Sequence, residues 1–291
     1  MSALRAFSWF SWLRPMGRWG HVPFSVLMSL TMLTAVAWFV TIYQAFSMSM
    51  PMGIAVRGGI ATEGMAGMAM GGIASTGLSF WNGAVFVAVW TVMMAAMMLP
   101  TAAPMIFMFA SAQARRGREV AVPTWIFMAG YILVWAGAGI AVYVLVQIGS
   151  ELATSLAPAQ RSKWAPIALG ATVAGAGIYQ FTPIKRICLR HCRSPLAFIT
   201  QHWRDGRVGA LAMGLKHGSY CFGCCWALFA VLVAAGVMSV AWMLLLTLIV
   251  LVEKMLPQAR RAGAAIGIVL ISLGIWVASG AGAMPWLMQP R

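Results

Sequence analysis

His217, Cys221, Cys224 and Cys225 lie within nine consecutive residues. If the stretch is helical, at about 100° per residue the first three fall within roughly 60° of one another, with Cys225 beside them. One helix face then presents an imidazole and two or three sulfurs. Such soft donors suit copper(I), whereas magnesium or calcium would require clustered oxygens that this chain lacks. Zinc accepts the same donors in a closed tetrahedral set. Free cysteine also packs as a small hydrophobe, but three in five residues favour metal or redox chemistry over packing.

A second sulfur group is Met93, Met94, Met97 and Met98, in the run from Trp90 to Pro100. The pairs 93/97 and 94/98 are each four residues apart, so a helix stacks their thioethers in adjacent stripes. Methionine fills cores indifferently, and only the nearby thiols tip this stripe from packing toward metal binding. Pro100 and Pro104 would kink the helix and free carbonyls toward the interior. A third group, Cys188, His191 and Cys192, with His202 beyond it, forms a possible second metal or redox site. The surrounding arginines and lysines repel cations while favouring thiolate, so a metal role and an inert reduced pair stand level. Lys216 and Glu253, both in or near apolar runs, are expected to meet as an ion pair.

These groups must be positioned by helices in lipid. The chain has 291 residues, 62% hydrophobic and 9% charged, a balance unsuited to a solvated surface. Apolar runs at 24–46, 81–110, 124–148, 165–184, 208–236, 239–256 and 263–284 approach the roughly 20 residues that a span needs. The expected fold is therefore all-α, a polytopic transmembrane helix bundle of about seven spans. The short run at 239–256 leaves six open, and Lys216 and His217 within 208–236 would allow that helix to break. The whole chain, 1–291, reads as a single integral membrane domain. The first run is too long for the apolar region of a cleaved signal peptide and reads as a retained span.

Lysines and arginines divide fifteen to four between alternate gaps, which places the N-terminus in the cytoplasm. The net charge of +15 resides in those gaps without the interleaved aromatics that stack bases, so no nucleic-acid partner is expected. Membrane lipid is the expected surrounding. The Gly-rich segment 47–80 carries Met48, Met50, Met52, Met65, Met68 and Met70 and is expected to be an external, flexible capture loop. No phosphate-binding G-x-x-x-x-G-K-[ST] loop is present, and the five acidic residues are too scattered for a proton relay. Ion movement would be passive or partner-driven, and no enzymatic role is expected.

The stretches Tyr179–Pro195, Gly214–Trp226 and Glu253-Lys254, with the earlier Trp90–Pro104 run, resemble the bacterial family of predicted metal-binding integral membrane proteins. The resemblance spans roughly residues 80–260, and its most specific element is the Cys224-Cys225-Trp226 triplet. It implies copper handling in a bacterial inner membrane, as chaperone or transporter for secreted or periplasmic copper oxidases such as tyrosinase. The leading expectation is a copper(I) carrier or delivery factor, with zinc as an alternative metal and a periplasmic copper protein or copper oxidase as partner. The direction of transfer stays open. A transmembrane thiol-disulfide relay, exchanging Cys221/Cys224 with Cys188/Cys192, is the rival. A structural assembly subunit with inert cysteines is the third reading.

Overall fold

A computed structural model describes residues 22–47, 80–155, 157–235, 240–256 and 259–279. The external methionines from Met48 to Met70 lie outside the described residues. Nine helices are present among those described: α1 Val22–Ser47, α2 Phe80–Arg115, α3 Ala121–Ser155, α4 Pro158–Tyr179, α5 Pro183–Arg193, α6 Pro195–His202, α7 Gly206–Ala235, α8 Val240–Met255 and α9 Ala259–Ala278.

Local chemistry sets several boundaries. Gly117 closes α2 with φ at 63°, in the left-handed region that favours glycine. Pro158, Pro183 and Pro195 stand at the starts of α4, α5 and α6, where the missing N–H has no intrahelical partner to lose. Thr182 caps α5 by accepting from the Lys185 N–H at 3.4 Å. Pro100 and Pro104 sit inside α2, which continues through both.

Five helices are long and apolar enough to cross a membrane: α1, α2, α3, α7 and α9. A sixth crossing is available if α4 and α5 act as one span, bent by 63° at residues 180–182. Helix α8 has 16 residues, short of the roughly 20 a crossing needs. Seven separate spans are therefore not reached among the described residues. Nor does the fifth apolar run break at Lys216: α7 runs unbroken through it, and the exposed Lys216 leaves the backbone hydrogen bonding intact.

Helix α7 is central, with 56% of its apolar window buried against 11% for α9. It packs on α3, α4, α5 and α8, while α2 packs on α1, α3, α6 and α8. The α3–α7 crossing is close because both sides carry glycine. A Cβ added at Gly214 would lie 2.1 Å from the Phe127 carbonyl oxygen, and one at Gly130 would lie 2.6 Å from that of Leu211. This backbone approach brings α3 side chains onto the α7 face that carries the cysteines.

The basic segments converge pairwise. Asp205, before α7, accepts from Arg118 at 2.7 Å and Arg116 at 3.5 Å, while Arg116 also lies over the Trp203 ring. Arg193 of α5 donates to the Leu256 carbonyl after α8.

Candidate metal centre

Cys221, Cys224 and Cys225 occupy successive positions along α7, and their three sulfurs lie within 4.8 Å of one another. None is more than 2% exposed. The Cys224 and Cys225 thiols both donate back to the Cys221 carbonyl, at 3.0 and 2.9 Å. Helical spacing of three and four residues accounts for this convergence, since all three side chains rise from one turn. All five cysteines of the chain are free.

Other helices complete the surroundings. Lys254, at the end of α8, sends its ammonium to the Cys221 sulfur at 3.1 Å and to Thr101 Oγ1 at 2.9 Å. From α3, the Tyr131 hydroxyl lies 3.1 Å from the same sulfur and 3.4 Å from the Met98 carbonyl oxygen. Cys192 of α5 is partly buried and packs against the core cluster that holds these cysteines. The buried ammonium and the buried sulfur thus each find a polar partner in an otherwise apolar interior.

The four methionines of α2 face inward. Met93 is 2% exposed and Met94, Met97 and Met98 are 0%, in the same core cluster as the three cysteines. The Met98 sulfur approaches Thr101 Oγ1 at 3.9 Å, and that hydroxyl accepts from Lys254. One hydroxyl and one ammonium thus connect this thioether to Cys221.

His217 is buried one turn before Cys221, among the rings of Phe127, Tyr131 and Phe198. Its Nδ1 has no hydrogen-bond partner, an unusual state for a buried polar atom. The proposed second group separates. Cys188 and Cys192 both pack against the core that holds the α7 cysteines, and a Cβ added at Gly223 would sit 2.7 Å from the Cys188 sulfur. His191 turns away, stacked on Tyr220 at 4.2 Å with Nδ1 bonded to the Ile187 carbonyl at 2.9 Å. His202 is likewise bonded to its own helix, through Phe198 at 3.2 Å.

The expected Lys216–Glu253 pair is replaced. Glu253 pairs with Lys185 of α5 at 2.7 Å, both side chains being buried, and Lys185 also donates to Gln180 Oε1. Lys216 points outward on α7, because its helical position lies across from the α8 contact. Similar depth in the membrane is not enough for a contact; the two side chains must also face each other around their helix axes.

Lys254, Tyr131 and Thr101 were not legible as site residues from spacing alone. Lys254 and Thr101 lie inside the Glu253-Lys254 and Trp90–Pro104 stretches that carry the resemblance, but beyond a lysine directly after a glutamate nothing there marks them as site residues. Tyr131 belongs to an apolar helix with no motif to mark it.

A family model, PpoB2 copper chaperone, matches residues 87–277. No curated protein matches, and no solved structure does.

Proposed function

The chain belongs to the PpoB2 copper chaperone family, and from that premise we propose that it carries copper(I) on the α7 thiols and hands it on by ligand exchange. The observation that carries this reading is the convergence of three buried sulfurs within 4.8 Å. Cys221, Cys224 and Cys225 supply the donor set, Cys192 adds a thiol from α5, and His217 offers an unpartnered nitrogen. Met93, Met94, Met97 and Met98 provide weaker thioethers along the approach from α2.

Charge favours the same assignment. Copper(I) between two thiolates is a monoanion, and the Lys254 ammonium beside Cys221 neutralises it inside an apolar interior. Loading releases a proton for each thiol that is not already ionised. No electron is transferred, and release needs only a competing thiol or thioether on the recipient.

In this reading the protein sits in a bacterial inner membrane with its N-terminus in the cytoplasm. It serves a periplasmic copper protein or copper oxidase, or moves copper inward, with the Met48–Met70 segment as a capture surface. Transfer through the membrane would pass between the α2 thioethers and the α7 thiols.

The test is metal loading of full-length protein purified under reducing conditions. We expect near-stoichiometric copper(I) on the wild type and at least a tenfold lower occupancy in Cys224→Ser/Cys225→Ser, both eluting as the same folded species. Equal and near-zero copper in both overturns the reading, and a preference for zinc in the same assay overturns the choice of metal. The packing of Cys188 and Cys192 against the core that holds Cys221 and Cys224 also suits the thiol-disulfide relay. Mass analysis after oxidation that finds a Cys192 disulfide exchanging reversibly with a partner thiol would favour the relay over copper transfer.

A further inference from the structure

Beside Glu253 of α8 is a cavity of about 610 Å³ lined by Lys185, Arg186, Arg190 and Arg193 of α5, by Arg260 of α9, and by Gln180 and Glu253. At about 100° per residue, α5 divides its faces: Cys188 and Cys192 share one arc and Arg186, Arg190 and Arg193 another, with Lys185 between them and also lining the cavity. The guanidinium of Arg186 is anchored to the carbonyls of Thr182 and Phe181, and that of Arg193 to Leu256. Four permanent cations gathered at one opening form an anion site in charge and in shape.

Two buried atoms specify the anion further. Gln180 is 7% exposed and its Nε2 has no partner; Glu253 is 2% exposed and its Oε1 has none. Both residues line the cavity. Gly263 borders the same space, a Cβ there lying 3.8 Å from Glu253 Oε1 and 4.0 Å from Gln180 Oε1. The unmet donor of Gln180 wants an acceptor such as a phosphate oxygen, and the unmet acceptor of Glu253 wants a hydroxyl. The Glu253 charge does not repel an anion from the site, because its other oxygen is paired with Lys185 at 2.7 Å.

We propose that this cavity binds a phosphate group bearing a hydroxyl donor, supplied by the headgroup of an anionic phospholipid such as phosphatidylglycerol. The location favours lipid over free phosphate. The lining residues stand at the bend that follows Trp164–Tyr179 and at the start of Arg260–Ala278, arginine-rich boundaries of apolar segments of the kind that meet anionic headgroups. The phosphate sits among the four arginines, and the glycerol hydroxyl reaches Glu253. The site is independent of the copper reading, and its test uses no metal.

The experiment reconstitutes full-length protein in neutral detergent with equal phosphatidylglycerol and phosphatidylcholine, and measures retained lipid by native mass spectrometry. The wild type should hold phosphatidylglycerol at least tenfold over phosphatidylcholine. Arg190→Gln/Arg260→Gln, substitutions at two exposed positions, should lose that preference while eluting as the same helical species, and Arg190→Lys/Arg260→Lys should retain part of it. Equal retention of the two lipids by the wild type overturns the proposal, as does an unchanged preference in the glutamine variant. Stabilisation by inorganic phosphate with no lipid preference overturns the lipid source.

Discussion

Lys254 is the residue on which the charge of the thiol pocket turns. It is 5% exposed and divides its ammonium between Cys221 and Thr101. Replacing it with methionine keeps the apolar stem but leaves a two-thiolate copper complex with an uncompensated charge in an interior that solvates charge poorly. We expect Lys254→Met to weaken copper(I) retention by about tenfold or more, equivalent to about 1.4 kcal/mol, as measured by competition with a copper(I) chelator. An unchanged competition curve would show that the ammonium has no part in holding the ion. The cysteines themselves were legible because three and four residues along a helix always converge, whatever surrounds them. Their counter-charge was not, because it comes from a helix more than thirty residues away whose rotational setting depends on packing.

At the scale of elements, the α3–α7 crossing decides whether Tyr131 reaches Cys221. The glycines at 130 and 214 let two backbones meet where any side chain would push them apart. Gly214→Ala must push α3 away from α7 at Phe127, because the obstacle is the Phe127 backbone carbonyl and no rotamer change relieves it. We expect a loss of about 1–3 kcal/mol, seen as a lower unfolding midpoint, together with faster modification of Cys221 by a small alkylating reagent. Unaltered cysteine protection would mean that α3 does not seal the pocket. The helices α2, α3 and α7 were foreseen as long apolar runs. The bend between α4 and α5 was not, although Thr182-Pro183 is a helix-start signal inside the run 165–184. Hydrophobicity there carries through the junction, while the capping Thr182 and the fixed φ of Pro183 begin a new helix axis. That turn sets Cys188 and Cys192 against the core that holds the α7 cysteines, with the Cys188 sulfur at Gly223.

For the whole molecule, a surface tether joins the α2–α3 turn to the start of α7 through Asp205. Its carboxyl is held below the usual carboxylate range, first by the Trp203 indole N–H and then by Arg118 and Arg116. Because the folded-state value is the lower one, the tether stabilises the fold at neutral pH. That contribution is lost as the pH falls from about 4 through the folded-state value. Thermal melts of wild type and Asp205→Asn should therefore differ at pH 7 and converge toward pH 3. A gap that persists at low pH would assign the effect to packing of the side chain. The clustering of positive residues in alternate gaps was readable from counting alone, but their partners were not: Asp205 lies 87 residues from Arg118 along the chain.

If copper is the cargo, the arginine arc of α5 would act on its charge. A bare copper ion approaching from this side would climb a positive potential, whereas a copper ion already wrapped by two anionic sulfurs would descend it. The field would then sort the cargo by the sign of its charge before any ligand has been exchanged.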